Sequence, residues 1–211
     1  AGAGCCSWDS AAISLQREMK AQIVEDLLHG LGAVEDIPWR GNVSVLSDNV
    51  TRTATQWRVR QRLSITSGGD VGVRAAHSHQ VISQQCSQVV PLLSGSPDEW
   101  GIADDVVSLA GTNSELVLAA DSYGERHIIA LTRYEDRYQA SRRARATSRR
   151  ARIQQVHQRR VLAGSGIARQ RVLGREWHLP AEAFWQAHRG AATTYAELIR
   201  DRADLDTGEV A

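Results

Sequence analysis

The sequence predicts an α+β fold: a small, mostly antiparallel sheet with packed helices, followed by a long basic helix and a helical C-terminal tail. Three observations predict it. Apolar residues alternate with period two over residues 55–66, and this strand and the apolar runs at 115–120 and 126–132 are bordered by tight-turn motifs. Residues 10–29 and 97–109 carry apolar side chains at helical spacing. From Arg133 to about Leu162 no Gly or Pro interrupts a run dominated by Ala, Arg and Gln, which is helical propensity sustained over about eight turns. The expected organisation is therefore a mixed α/β core over 1–132, an arginine-rich helix over 133–163 and a helical segment over 164–211.

Each element has its own signal. Over residues 10–29, Ile13, Met19, Ile23 and Leu27 fall on one face, with Ser10 able to cap the helix and Gly30 able to end it. A connector closed by Pro38 leads to a short strand candidate at 43–46. Residues 55–66 form the clearest strand: Trp57, Val59, Leu63 and Ile65 share one face, while Arg58, Arg60, Arg62 and Ser64 share the other. Ser67-Gly68-Gly69-Asp70 then reads as a hairpin turn, returning through residues 71–81. Ser96-Pro97-Asp98-Glu99 is a capping box with proline at the first helical position, followed by Ile102, Val106 and Leu109. Apolar runs at 115–120 and 126–132 flank Asp121-Ser122-Tyr123-Gly124-Glu125, a second hairpin. Gly164-Ser165-Gly166 terminates the long helix, a short basic helix follows, and Thr194 with Glu197 boxes the start of a final helix.

Composition narrows the function. The chain has 211 residues, 42% of them hydrophobic but only 5% aromatic, so aliphatic packing must supply the core. No stretch approaches the roughly 18 apolar residues of a membrane-spanning helix, and no membrane partner is expected. Cys5, Cys6 and Cys86 are three in number, and adjacent cysteines rarely meet disulfide geometry, so an intracellular reducing compartment or a particle interior is expected. Lys20 is the only lysine among 25 basic residues, so arginine at any one place says little about bidentate recognition.

The formal net charge of +1 hides a dipole: residues 1–125 carry a net −7 and residues 126–211 a net +8. From Ser141 to Arg175 there are 11 arginines and no acid. A self-repelling run of that density calls for an anionic partner. Placed on a helix, Arg142, Arg143, Arg145, Arg149, Arg150, Arg152, Arg159 and Arg160 cover a little over half the circumference, opposite small residues and glutamines. In composition and helical spacing this resembles the arginine-rich peptides that enter RNA grooves, a resemblance that covers some 20 residues and implies no particular target. The expected function is non-catalytic binding of RNA or DNA backbone phosphates within a larger nucleoprotein or particle, with Arg58, Arg60 and Arg62 extending the footprint and no cofactor required.

Two alternatives stand beside it. One is a structural assembly protein whose basic helix docks on an acidic protein surface, either another subunit or another copy of this chain. The other is catalytic: His77 and His79 alternate on a candidate strand, and Tyr134 and Tyr138 follow one helical turn apart. That layout resembles the HUH single-strand endonucleases, which implies metal on His77 and His79 and a nucleophile at Tyr134 or Tyr138. The sequence departs from that pattern at Ser78, where a bulky apolar residue belongs, and in the short interval after Thr66.

Overall fold

The computed structural model describes residues 11–30, 55–75, 77–134 and 156–203. Among these, an antiparallel six-stranded sheet forms the centre. Its strands are β1 (Arg60–Ile65), β2 (Val71–Arg74), β3 (Val81–Ile82), β4 (Ser114–Ala120), β5 (Arg126–Tyr134) and β6 (Val156–Ala163), in the spatial order β3-β2-β1-β4-β5-β6. A separate hairpin, β7 (Ile167–Val172) and β8 (Arg175–Pro180), lies against it. Helices α1 (Ile13–Gly30), α2 (Ala103–Leu109) and α3 (Ala191–Ala203) and a short 3-10 helix at Pro91–Leu93 complete the described elements.

The apolar runs of β4 and β5 are continuous because both faces of these central strands are covered. Leu116, Leu118, Ala120, Ile128 and Ala130 pack with Leu63 and Ile65 of β1 beneath Leu93, Trp100, Ile102, Val106 and Leu109. On the opposite face Val117, Ala119, Ile129 and Leu131 meet Ala168 and Ala181 from the hairpin and its exit. The strand period of two divides each run between two cores. Where β4 opens, Ser114 and Thr132 hydroxyls lie 2.7 Å apart and satisfy each other inside the sheet.

The two predicted hairpins form, β1 with β2 and β4 with β5. The capping box also forms: the Glu99 carboxylate accepts from the Ser96 N–H at 2.7 Å, and the Ser96 hydroxyl accepts from the Glu99 N–H at 3.4 Å. It heads a single turn, however, because Gly101 takes φ +74° and α2 starts afresh at Ala103.

Four expectations need correction. Helix α1 forms, but Ile13, Met19, Ile23 and Leu27 on its apolar stripe are exposed instead of packed. The strand returning from β2 is interrupted over residues 75–80 before β3. The described ends of the expected arginine helix over 133–163 are strands, with Arg133 paired to His157 and Ile129 to Val161 across β5 and β6. Every β6 residue except Leu162, at a bulge, gains a partner in the open edge of β5, a tertiary gain larger than the few tenths of a kcal/mol per residue by which Ala, Arg and Gln favour helix. Finally, residues after Gly166 form the β7–β8 hairpin and not a basic helix, so among the described residues of the C-terminal segment only Ala191–Ala203 is helical. Residues 43–46, the strand candidate, and 135–155 lie outside the described residues.

Candidate nucleic-acid interface

The arginines that the sequence singles out fall into two groups. Arg142, Arg143, Arg145, Arg149, Arg150 and Arg152 lie outside the described residues. The others are engaged inside the fold. Consecutive residues on a strand point to opposite faces, and Arg159 and Arg160 each find an acid on their own side: Arg159 Nε donates to Glu182 at 2.6 Å, and Arg160 pairs with Asp105 of α2. The Arg62 guanidinium and that of Arg133 share the Glu115 carboxylate at 3.3 and 3.0 Å. Arg60 donates to the carbonyl of Ala181, and burial, reinforced by nearby Arg62, lowers its pKa from the ordinary arginine value. Arg58 lies 5.0 Å from the Trp57 ring centroid. The arginine face of β1 is therefore partly covered by the chain that follows β8 and is not an open basic surface.

Among the described residues the catalytic constellation is not brought together on a strand and a helix. His77 and His79 sit in the exposed segment between β2 and β3, with His77 at φ +55°, so strand alternation no longer brings the two imidazoles to one side. Tyr134 ends a strand and is not helical, and Tyr138 lies outside the described residues.

A different cluster is built at the β4–β5 turn. Asp121 follows β4 directly, and its fully enclosed carboxylate accepts from the N–H groups of Tyr123 and Glu125, each at 2.8 Å, which closes the turn. Its other oxygen faces β7, accepting from the Arg169 N–H at 3.4 Å and lying 3.7 Å from Arg169 Nε. Glu125 lies 3.8 Å from Arg169 Nη2. The Arg169 guanidinium, held by both acids, stacks 4.5 Å from the centroid of Tyr123, whose hydroxyl donates to Glu176 on β8. That hydrogen bond raises the Tyr123 pKa above the ordinary tyrosine value and, together with one to His178, lowers that of Glu176.

Asp121, Glu125 and His127 offer ligand atoms within 4.8 Å of one another, the donor types a divalent cation takes. His127 is fully buried, and neither ring nitrogen has a hydrogen-bond partner. Arg169 nevertheless already lies against both carboxylates, so in this fold the acids hold a guanidinium at the surface. Sequence reading took residues 121–125 as a plain hairpin turn. The available signal was an aspartate leading a turn with an aromatic side chain at its tip.

Comparison with known proteins places this geometry in a context. A Corynebacterium diphtheriae protein is 32% identical over 95% of this chain and 42% of its own length. A Corynebacterium glutamicum protein is 29% identical over 95% of the chain and 43% of its own, and one from Streptomyces avermitilis is 24% identical over 93% and 45%. All three are named as uncharacterized RNA methyltransferases. The chain spans less than half the length of these relatives. No family model matches it. A partner in RNA fits these names, and a structural component of a particle does not. Among the described residues no helix is long and apolar enough to cross a membrane.

Proposed function

We propose that this chain binds RNA as part of an RNA methyltransferase. One observation carries the reading: similarity to proteins named for acting on RNA runs along 93–97% of a chain that holds 11 arginines and no acid between Ser141 and Arg175. Arg142, Arg143, Arg145, Arg149, Arg150 and Arg152 of the acid-free run supply the phosphate contacts, and Arg62 adds to them at the exposed rim of β1. Arg58, Arg60, Arg159 and Arg160 support the fold that presents them. The pairs Arg133–Glu115 and Arg160–Asp105 join the basic and acidic portions within one chain, which weakens the case for docking on the acidic half of a second copy.

The test is fluorescence anisotropy of labelled RNA at several salt concentrations, with Arg145, Arg149 and Arg152 all replaced by Gln. Affinity for unrelated RNA sequences falls to a similar extent, and the slope of log K against log salt flattens by about 3. Unchanged affinity in the triple variant refutes the assignment of these arginines, and a wild-type chain with no salt-dependent RNA binding refutes the function.

A further inference from the structure

The β7–β8 hairpin turns Ala168 and Gln170 toward the sheet, where both are buried. Cross-strand pairing of Arg169 with His178 and of Arg171 with Glu176 places these four side chains on the opposite, outward side. Tyr123 joins them from the β4–β5 turn. Its ring is fixed at the hydroxyl by Glu176 and covered on one face by Arg169, which Asp121 and Glu125 hold in turn. The residue is still 49% exposed. An aromatic ring held by two neighbours yet open to solvent has lost much of its conformational freedom before any ligand arrives, so stacking on it costs little further entropy.

The charges around the ring select the partner. Arg171 is exposed and has no ion-pair partner among the described residues, whereas Arg169 two residues before it pairs with Asp121 and Glu125. On the ring's side of the hairpin stand Arg169, occupied by Asp121 and Glu125, then Arg171, and one acid, Glu176, already engaged by Tyr123 and His178; Arg175 pairs with Val172 on the other side. A protein-docking anchor is normally ringed by apolar side chains that exclude water. This ring carries the Arg169 guanidinium on one face, and the exposed Arg171 lies across the hairpin from Glu176, a cation that suits phosphate.

We propose that the Tyr123–Arg169 pair is a stacking platform for an unpaired RNA base, with Arg171 contacting the adjoining phosphate. The inference rests on the reading of this chain as RNA-binding and narrows it to single-stranded RNA. In a duplex both faces of every base are already stacked, so only a splayed base can reach the platform.

The experiment compares the complete 211-residue chain with its variants on a labelled oligoadenylate of about 12 nucleotides and on an RNA duplex of similar length. Tyr123→Ala weakens oligoadenylate binding by about 10-fold and duplex binding much less, while Tyr123→Phe, which keeps the ring, stays within about 3-fold of wild type. Arg171→Gln flattens the salt slope by about 1. Because Tyr123→Ala also removes a turn contact, a second readout uses the wild-type chain with 2-aminopurine in the oligonucleotide, whose fluorescence changes when the base stacks on the ring. RNA binding that survives Tyr123→Ala undiminished, an equal loss on duplex and single strand, or an unchanged 2-aminopurine signal overturns the platform while the RNA reading stands. A wild-type chain that binds neither RNA fails the underlying reading as well.

Discussion

Replacing Asp121 tests whether a single carboxylate holds the β4–β5 turn and Arg169 together. Its side chain is fully enclosed and accepts from the Tyr123 and Glu125 N–H groups at 2.8 Å. Hydrogen bonds to a charged acceptor contribute about 1.5–3 kcal/mol each, so Asp121→Ala, which abandons two donors in the turn, costs about 3–5 kcal/mol. Asp121→Asn keeps an oxygen for those donors but puts an amide nitrogen in place of the other, losing the charge opposite Arg169 at 3.7 Å and the long hydrogen bond from its N–H at 3.4 Å, and costs about 1–2 kcal/mol. Urea unfolding followed by tryptophan fluorescence reads both values, since Trp100 is buried in the core. With a slope of about 2–3 kcal/mol/M, the midpoint falls by about 1.5 M for Ala and about 0.5 M for Asn. Equal losses in the two variants would show that charge and not turn closure dominates. A loss under about 0.5 kcal/mol for Ala would refute the reasoning altogether.

Two further perturbations probe the same region. In Gly164→Ala, the new Cβ would stand 2.4 Å from the Arg126 carbonyl oxygen and 2.6 Å from His127 Nδ1 at a backbone φ of +71°, so the variant loses about 2–4 kcal/mol in urea unfolding. Gly174→Ala, at φ +81° with nothing within 4 Å, loses only about 1 kcal/mol, and similar losses at the two sites would refute the packing argument. The Tyr123–Glu176 hydrogen bond predicts linked titrations. Because the folded Tyr123 pKa is raised, the stabilisation is complete below the ordinary tyrosine value and is lost as pH rises through the raised one. Because the folded Glu176 pKa is lowered, its contribution is present above the ordinary carboxylate value and is lost as pH falls through the lowered one. Ultraviolet difference titration checks this: Glu176→Gln moves one tyrosine transition down toward its ordinary value, and an unmoved transition refutes the pairing.

How far the sequence carries depends on whether the decisive contact is local. The β4–β5 hairpin was legible because apolar runs on both sides of a five-residue turn leave few other arrangements, and the capping box at Ser96 was legible because its two hydrogen bonds span three residues. Strand β6 was not. Its sequence, rich in Arg and Gln, reads as helix until the open edge of β5 is brought beside it. The same applies to His77 and His79, whose shared side depended on a strand that breaks between β2 and β3.

The sequence by itself determined the α+β class, the aliphatic core of the central strands and the charge asymmetry, because these follow from periodicity and composition. It also exposed the density of arginine on which the RNA reading rests. Only the tertiary structure decided which arginines are occupied: Arg159 and Arg160 turn to opposite faces of β6 toward Glu182 and Asp105, partners 23 and 55 residues away. Tyr123 meets Arg169 and Glu176 only because the β7–β8 hairpin folds back onto the β4–β5 turn, with its Glu176 contact spanning 53 residues. Helical and strand periodicities describe neighbours along the chain, and a site assembled across such distances leaves no periodic trace.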